Sequence, residues 1–445
     1  MTVTSELARY VVEARPAALP EPVRREGMRA VLHLIGCAIG GCRHETVEAA
    51  LGALAEFAGP PQAGLLGRGE RLDVLNAALL NGIASHVLDF DDTHATCFVH
   101  PSGPVAAAIL PLAEHIAVSG ADFVNAFVLG VEVECRIARA VIPAHYDIGW
   151  HLTGTAGVFG AAAAAGKLLG LDHRQMVWAL GIAATQSAGL RESFGSMCKS
   201  LHSGRAAQNG LSAALLARRN YTAAEQGIEG KRGFAQVMST QQNFAVITDR
   251  LGQSFELMRN TYKPFACGLV VHPTIDACLQ LRAAHQLTEA AIERVEVEIH
   301  PLVLELTGKR APRTGLEGKF SVYHSAAVAL IDGDAQEAQY SDARVRDPVV
   351  AGLTARVHAT ASPGIGREAA KVAVLLRDGR KLDRHVEHAV GSLEHPMSDA
   401  QIDAKVRGLS VELIGAARTE ALIALCRGLW DQTNAGAVAH AATPG

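Results

Sequence analysis

The spacing of apolar residues changes near Thr288, and this change limits the folds that the chain can adopt. Before Thr288, apolar residues recur at helical spacing, as in PVRREGMRAVLHLIGCAIGG from Pro22 to Gly41. After it, RVEVEIH, LTARVHAT and KVAVLLRDG alternate apolar and polar side chains, which is typical of half-buried strands. A mainly α protein with a small sheet is therefore predicted.

The helical pattern is nearly continuous up to residue 270 and returns after Pro396, from Ser398 to Trp430. The predicted helices of the first part cover residues 22–41, 44–57, 74–88, 105–117, 122–141, 156–169 and 173–188. Between the helical parts, strands are predicted at 294–300, 353–360 and 371–379, with a helix at 323–332. Asp378-Gly379 is a hairpin signal that leads into a fourth strand in RKLDRHVEHAV.

This order predicts two domains, one inserted into the other. The large all-helical domain is built from residues 1–270 and 396–445, and the smaller α+β domain from residues 271–395. A chain of 445 residues is long enough for both cores. The C-terminal stretch AGAVAHAATPG is expected to be loose.

Composition excludes several classes of protein. A net charge of -4 without a basic stripe argues against nucleic-acid binding. The eight cysteines form no CxxC pair or compact framework, which predicts reduced thiols. No signal-peptide order and no apolar run of bilayer length stand out, so a soluble cytoplasmic protein without a membrane partner is expected. The apolar fraction of 49% and helices rich in small residues suggest a homo-oligomer.

The stretch NGIASHVLDFDDTHATCFVHPSG, from Asn81 to Gly103, has the pattern of a functional site. An apolar helix ends there and is followed by three closely spaced carboxylates, which repel one another unless they meet cations. A solvated acidic turn, with Ser102 capping the next helix, is the alternative interpretation. The polar residues concerned are Asp89, Asp91, Asp92, Thr93, His94 and His100.

Two later segments carry further candidate groups. His151, in GWHLTGT, precedes an Ala/Gly helix whose N-terminal dipole disfavours an imidazolium, so it is predicted to be neutral, as a general base must be; a helix-end histidine without a catalytic role is the alternative. In CKSLHSGRAAQNG, Lys199 and His202 precede a helix predicted to start near Gly204, and Arg205 lies at its start. Three cationic groups close together suit a substrate with several carboxylates, whereas a basic surface turn is the alternative. Lys263, in YKPFACGLVVHP, is a weaker carboxylate-binding candidate.

Other chemistries lack their motifs. No GxGxxG or GxxxxGK[ST] phosphate loop and no GxSxG elbow occurs. Asp91, Asp92, His94 and His100 are of the ligand type that binds metals, but their spacing matches no standard site, so no metal is predicted.

The motif DFDDT followed by HPSG resembles the signature of the MmgE/PrpD family. GWHLTGTAGVFGAAAAAGKLLGL, CKSLHSGRAAQNG, YKPFACGLVVHPTIDA and GLEGKFS follow in the family's order, and together they span most of the chain. The family includes 2-methylcitrate dehydratase, cis-aconitate decarboxylase and iminodisuccinate epimerase. The resemblance implies the inserted α+β domain, a homodimer and catalysis without a cofactor.

Carried over residue by residue, the resemblance also implies a set of site residues. The family's active-site tyrosine falls on His324, beside Tyr323, and a histidine there could change the catalytic acid and the product. The implied catalytic residues are Asp89, Thr93, His100, His151, Lys199 and His324. The predicted substrate-binding residues are Tyr146, His202, Arg205, Lys263 and Tyr323.

These residues predict a cofactor-independent lyase, a dehydratase or decarboxylase acting on a small di- or tricarboxylic acid such as 2-methylcitrate or cis-aconitate. It would remove a proton α to a carboxylate with His151, hold carboxylates with Lys199, and protonate the leaving group with His100 or His324. Two alternatives stay open. HYDIGWH and GLEGKFS resemble iminodisuccinate epimerase, which predicts an isomerase, and the replaced tyrosine is compatible with a non-catalytic carboxylate-binding protein.

Overall fold

Helices form most of the secondary structure in the computed structural model, which describes residues 2–444. Helices of ten or more residues are numbered here, and shorter ones are given by their bounds. The first nine are α1 (Val3–Glu13), α2 (Glu21–Gly41), α3 (Glu45–Leu54), α4 (Val74–Val87), α5 (Ser102–His115), α6 (Gly120–Val141), α7 (Gly157–Leu168), α8 (His173–Thr185) and α9 (Cys198–Arg218). The others are α10 (His272–His285), α11 (Val322–Asp332), α12 (Asp399–Ile414) and α13 (Ala416–Arg427). The mainly α prediction is therefore confirmed.

Short helices connect these elements, and eight strands form three sheets among residues 2–444. The short helices are Ala144–Ile148, Leu152–Thr155, Phe234–Met238, Ala245–Thr248, Pro301–Thr307, Gly315–Gly318, Asp342–Val345, Pro348–Thr354 and Ala437–Ala441. The strands are β1 (Ala63–Gly64), β2 (Arg71–Leu72), β3 (Thr93–His94), β4 (Asn260–Thr261), β5 (Ile292–Ile299), β6 (Val357–Ala361), β7 (Ala370–Leu376) and β8 (Lys381–Val386).

The main sheet contains the strands predicted from alternating side chains. Its order is β6-β5-β7-β8, with β6 parallel to β5 and the other pairs antiparallel. The Asp378-Gly379 hairpin is confirmed, because Gly379 has a φ of 90° and the Leu376 amide donates to the Arg380 carbonyl. The strand predicted from Leu353 begins only at Val357, because Pro348–Thr354 is a helix capped by Asp347.

Helix α9 packs against α4, α5, α7 and α8 and so lies at the centre of the helical part. Its contact with α4 depends on paired glycines. A Cβ on Gly204 would lie 2.3 Å from the Leu79 carbonyl oxygen, and one on Gly82 would lie 2.6 Å from the Gly204 Cα. Glycine therefore lets the two backbones approach until the end of α4 and the start of α9 share one site.

Two hydrophobic clusters meet beside the segment that follows α4. The first is built from residues between 7 and 262 and between 397 and 442, and the second mainly from residues 265–389. Two buried ammonium groups fix the junction. Lys319 Nζ donates to the Leu88 carbonyl at 2.7 Å, and Lys405 Nζ donates to the carbonyls of Phe90 and Lys263 at 2.6 and 2.8 Å.

Residues 435–444 of the C-terminal stretch are ordered, so the prediction of a loose tail is wrong for them, and Gly445 lies outside the described residues. Ala437–Ala441 is a short helix, and Val438 and Ala442 are fully buried against the first cluster. The Ala442 carbonyl also accepts a hydrogen bond from the Gly67 amide at 2.8 Å. Small apolar side chains in a stretch rich in Ala and Gly supply enough burial to hold it.

Two further features bear on the class of protein. All eight cysteines are free thiols, as their spacing predicted. Within residues 2–444, no helix combines the length and the apolar character that crossing a membrane requires.

Candidate active site

The three carboxylates that follow α4 are buried. Asp89 is 4% exposed, and Asp91 and Asp92 are 0% exposed, so the alternative of a solvated acidic turn is wrong. Asp89 has a φ of 50°, a left-handed conformation that aspartate tolerates better than most residues. Each carboxylate meets a different set of partners, and this is how three of them fit within four residues.

Asp89 binds two lysines. Its Oδ1 accepts hydrogen bonds from Lys199 Nζ at 2.8 Å and from Lys263 Nζ at 2.9 Å, and its backbone carbonyl accepts from Lys263 at 3.0 Å. Burial alone would raise the pKa of the Asp89 carboxyl, but the two ammonium groups hold it well below its usual range. The three charges form a buried unit with one more positive than negative charge.

Asp91 binds His86, a residue that sequence reasoning did not select. His86 Nδ1 lies 2.7 Å from Asp91 Oδ2, and its Nε2 lies 3.1 Å from Lys199 Nζ. Burial lowers the pKa of His86, so its neutral ring donates from Nδ1 to Asp91 and accepts from Lys199 at Nε2. A histidine in the last turn of α4, directly before the three carboxylates, was the available signal.

Asp92 is held away from the lysines. Ser102 Oγ and Asn260 Nδ2 each donate to its Oδ2 at 2.5 Å, so Ser102 binds this carboxylate instead of capping α5. Burial, reinforced by the Asp91 charge, raises the pKa of Asp92 to about 7. Asp92 thus anchors the loop between β3 and α5, and its backbone carbonyl positions His100.

His100 is a neutral imidazole with one ring nitrogen occupied. Its Nδ1 lies 2.8 Å from the Asp92 carbonyl oxygen and 3.1 Å from Thr93 Oγ1, and its amide donates to Thr153 Oγ1. Burial and the nearby positive charge of Lys263 lower its pKa to about 3. The carbonyl fixes the proton on Nδ1, which leaves Nε2 as a proton acceptor.

His151 is also neutral and is oriented from behind by His202. Its amide donates to the Gly189 carbonyl at 2.9 Å, and its Nδ1 lies 2.9 Å from His202 Nδ1. Burial and the Lys199 charge hold the pKa of His151 well below its usual range, so the predicted neutral state is supported. Burial is the leading cause, whereas the helix that His151 precedes is only four residues long.

Seven of the predicted residues line one cavity of about 80 Å³. It lies where the two hydrophobic clusters meet, and residues from both build its wall. The predicted residues in the wall are Asp89, Thr93, His100, Tyr146, His151, Lys199 and Lys263. The remaining wall is mainly apolar and consists of Phe98, Phe194, Gly268, Leu269, Val270, Leu302, Leu306, Thr307 and Phe320.

The structure does not bring Arg205 to this cavity. Helix α9 begins at Cys198 instead of near Gly204, so the three predicted cations lie on successive turns of one helix. At about 100° per residue, Arg205 is rotated about 240° from Lys199, whereas His202 is rotated only about 60°. Arg205 is accordingly exposed and hydrogen-bonds Gln208, and His202 contacts His151 without lining the cavity.

His324 and Tyr323 also lie outside the cavity. His324 Nε2 lies 2.8 Å from the Gln339 carbonyl oxygen, and its ring packs against Tyr340. Tyr323 is buried below the guanidinium of Arg310, 5.0 Å from its ring centre. These positions begin helix α11, and Phe320 of the same motif is the residue that reaches the cavity wall.

The imidazoles beside the cavity also have the donor chemistry of a transition-metal site. His86, His100 and His151 each bring one ligand atom to within 4.8 Å of the others. Both ring nitrogens of His86 are already bound, to Asp91 and Lys199, so an ion ligated by its Nε2 would displace the Lys199 ammonium group.

Comparison with known proteins agrees with the motifs found in the sequence. Residues 5–247 match the MmgE/PrpD N-terminal domain, and residues 265–429 match the MmgE/PrpD C-terminal domain. Over 456 residues the chain is 28% identical to the cis-aconitate decarboxylase of Aspergillus terreus, covering 96% of this chain and 93% of that protein. Over 454 residues it is 25% identical to the human cis-aconitate decarboxylase, covering 97% and 92%. With both domains matched in order, the chain belongs to the MmgE/PrpD family.

Proposed function

We propose that this protein is a lyase acting on a small di- or tricarboxylic acid, such as 2-methylcitrate or cis-aconitate. In a dehydration it removes a proton α to a carboxylate, and the hydroxyl of the neighbouring carbon leaves with its bonding electrons and is protonated to water. In a decarboxylation the bond to a carboxylate breaks, carbon dioxide leaves, and the electron pair that stays on the substrate is taken up by protonation at carbon. The observation that carries the proposal is one cavity lined by two neutral imidazoles, His100 and His151, and two ammonium groups, Lys199 and Lys263. The names of the relatives support the same reaction class.

His151 is the proposed general base. With its Nδ1 proton donated to His202, its Nε2 carries the lone pair that accepts the substrate proton. Removal of His202 would free the ring to rotate and to change tautomer, so His202 is a positioning residue. We expect His202→Ala to lower kcat about 10-fold to 100-fold with little change in KM, and His202→Asn to restore part of it because Asn Oδ1 accepts the same hydrogen bond.

Lys199 and Lys263 are the proposed carboxylate-binding groups. Proton removal places negative charge on the carboxylate next to the reacting carbon, and preorganised cations in a water-poor cavity stabilise that charge. Both lysines are at least nine-tenths buried. Asp89 holds them in place through Oδ1 and so acts by positioning.

Lys199 is also the proposed proton donor to the leaving group. Burial lowers its pKa, which makes the ammonium group a better acid than an exposed lysine. His100 has its only proton bound to a backbone carbonyl, so we assign its free Nε2 to accept a hydrogen bond from a substrate hydroxyl. Thr93 and Tyr146 complete the polar wall as substrate contacts.

The experiment is a proton NMR time course in deuterium oxide with cis-aconitate, 2-methylcitrate, citrate, citramalate and iminodisuccinate. A new alkene or a decarboxylated product supports a lyase and identifies its leaving group. Deuterium uptake at carbon with no loss of water or carbon dioxide would instead establish an isomerase. Tight binding with neither exchange nor turnover would contradict catalysis and favour a carboxylate-binding protein.

A further inference from the structure

The charge around the candidate cavity limits how many carboxylates it can hold. Its charged lining groups are Lys199, Lys263 and Asp89, which together carry one net positive charge. The histidines in its wall are neutral, because burial lowers the pKa of both His100 and His151. Arg205, which the sequence placed with these cations, is on another face of α9. A third carboxylate would therefore meet no cation.

The part of the cavity wall contributed by residues 269–320 is mainly apolar. Leu302 and Leu306 come from the short helix Pro301–Thr307, and Leu269 and Val270 come from the turn before α10. Phe320 completes this surface. An ionised carboxylate placed there would lose its hydration without gaining a partner, whereas a hydrocarbon group gains free energy on leaving water.

A second cavity of about 400 Å³ lies on the other side of this apolar wall. Phe98, Leu269, Val270 and Leu302 line both cavities, so these four side chains lie between them. The other apolar residues of the second cavity are Ala95, Pro273, Val303, Ala389, Val390 and Leu393.

The outer rim of the second cavity does not favour an anion. It carries Arg367 together with two carboxylates, Glu368 and Glu394. His388 Nδ1 lies 3.5 Å from Glu368 Oε2 and 3.4 Å from Glu394 Oε2. With two negative groups against one arginine, the rim suits a neutral group better than a phosphate or a further carboxylate.

We propose that the substrate is an acid with at most two carboxylates and one apolar substituent of several carbons, which occupies the second cavity. This inference rests on the proposed function and narrows its substrate class: it keeps the lyase reaction but sets aside 2-methylcitrate and cis-aconitate, which carry three carboxylates each. The carboxylates bind Lys199 and Lys263, and the substituent passes between Phe98 and Leu302.

The test uses 2-hydroxy-2-alkylbutanedioates whose alkyl group grows from methyl to pentyl, with citrate and cis-aconitate as tricarboxylate comparisons. In the dehydration of these acids, the C3–H bond breaks and the enzyme takes the proton. The C2–O bond then breaks while Lys199 protonates the departing hydroxyl, water leaves, and the C2=C3 double bond forms. Because a buried methylene favours binding, we expect kcat/KM to rise about fourfold per added carbon until the second cavity is filled.

A matched pair of variants locates the effect. Val390, 38% exposed, lines the second cavity only, whereas Val411, 37% exposed, lies on α12 and lines neither cavity. Val390→Trp should occupy part of the second cavity and reduce the pentyl-to-methyl ratio of kcat/KM. Val411→Trp should leave that ratio as it is in the wild type.

The outcomes separate this inference from the proposed function. Turnover of the short acids or of cis-aconitate, with no gain along the alkyl series, would overturn the inference and leave the lyase proposal standing. A gain that persists in Val390→Trp would equally overturn the second cavity as the binding site. If neither turnover nor deuterium exchange occurs with any acid, the lyase proposal fails and the inference fails with it.

Discussion

Replacing Asp89 by Asn tests how the buried lysines are held. The substitution keeps the shape of the side chain but removes the charge that binds Lys199 at 2.8 Å and Lys263 at 2.9 Å. Loss of one partner from a buried ion pair costs about 3–5 kcal/mol. Lys199 keeps His86 Nε2 and Lys263 keeps the backbone carbonyl of residue 89, so we expect the lower end, about 3 kcal/mol.

The assay is urea unfolding at pH 7, followed by tryptophan fluorescence and by circular dichroism. Asp431→Asn is the matched control, because Asp431 is exposed, and it should change the free energy of unfolding by less than about 0.5 kcal/mol. Since the two ammonium groups hold the pKa of Asp89 well below its usual range, its contribution is present above the unfolded pKa near 3.9. That contribution should be lost as the pH falls towards the folded pKa.

A double variant tests whether the stability lost in Asp89→Asn comes from the lysines left without their carboxylate partner. Adding Lys263→Met to Asp89→Asn removes one of the stranded charges, so the double variant should be more stable than the sum of the single effects predicts, by about 1–3 kcal/mol. A loss below about 1 kcal/mol for Asp89→Asn, or strict additivity in the double variant, would refute the reasoning.

Three other predictions concern the site and its scaffold. Because the pKa of His151 is held well below its usual range and that of His100 is lowered to about 3, both bases stay neutral in mild acid. Asp92, whose pKa is raised to about 7, titrates in the same range, so the test uses the Asp92→Asn variant: its kcat/KM should stay flat from about pH 8 to 5, and an acid limb near pH 6.5 would contradict the burial of the two imidazoles. Arg205→Ala should leave kcat and KM within about twofold in a steady-state assay, because its side chain is exposed; a larger loss would return it to the site. Gly204→Ala should lower the free energy of unfolding by about 1–3 kcal/mol in a urea titration, since its Cβ would lie 2.3 Å from the Leu79 carbonyl oxygen, and an unchanged midpoint would contradict this close packing.

The periodicity of apolar residues was sufficient to predict the helices and strands that bury one continuous apolar face. Helices α2 and α6 lie within about two residues of their predicted bounds, because each has a continuous buried stripe. The Asp378-Gly379 turn was predictable because a hairpin needs a residue with positive φ there. The tail was not, since Val438 and Ala442 are too few apolar residues to establish a period, and their burial depends on distant parts of the chain.

The candidate site was predictable where its side chains belong to a recognisable motif. It was less predictable where the role of a residue depends on its three-dimensional contacts. Asp89, His100, His151 and Lys199 line the cavity as the motifs implied. His86 was missed because its importance comes from contacts with Asp91 and Lys199 across two helices, which spacing does not reveal. The motifs also did not indicate which face of its helix each residue occupies. His202 and Arg205 lie on faces of α9 that do not line the cavity, and His324 lies on such a face of α11.

The most direct test of the central claim is solvent exchange catalysed by the His151→Ala variant. The claim is that His151 removes a substrate proton in a cavity whose carboxylate-binding group is Lys199. Deuterium incorporation and turnover would be measured on the best acid of the panel for the wild type, His151→Ala and the exposed control His115→Ala. We predict that folded His151→Ala loses both by at least about 100-fold, as expected for a general base, while His115→Ala retains both. Near-wild-type exchange by folded His151→Ala would contradict the account.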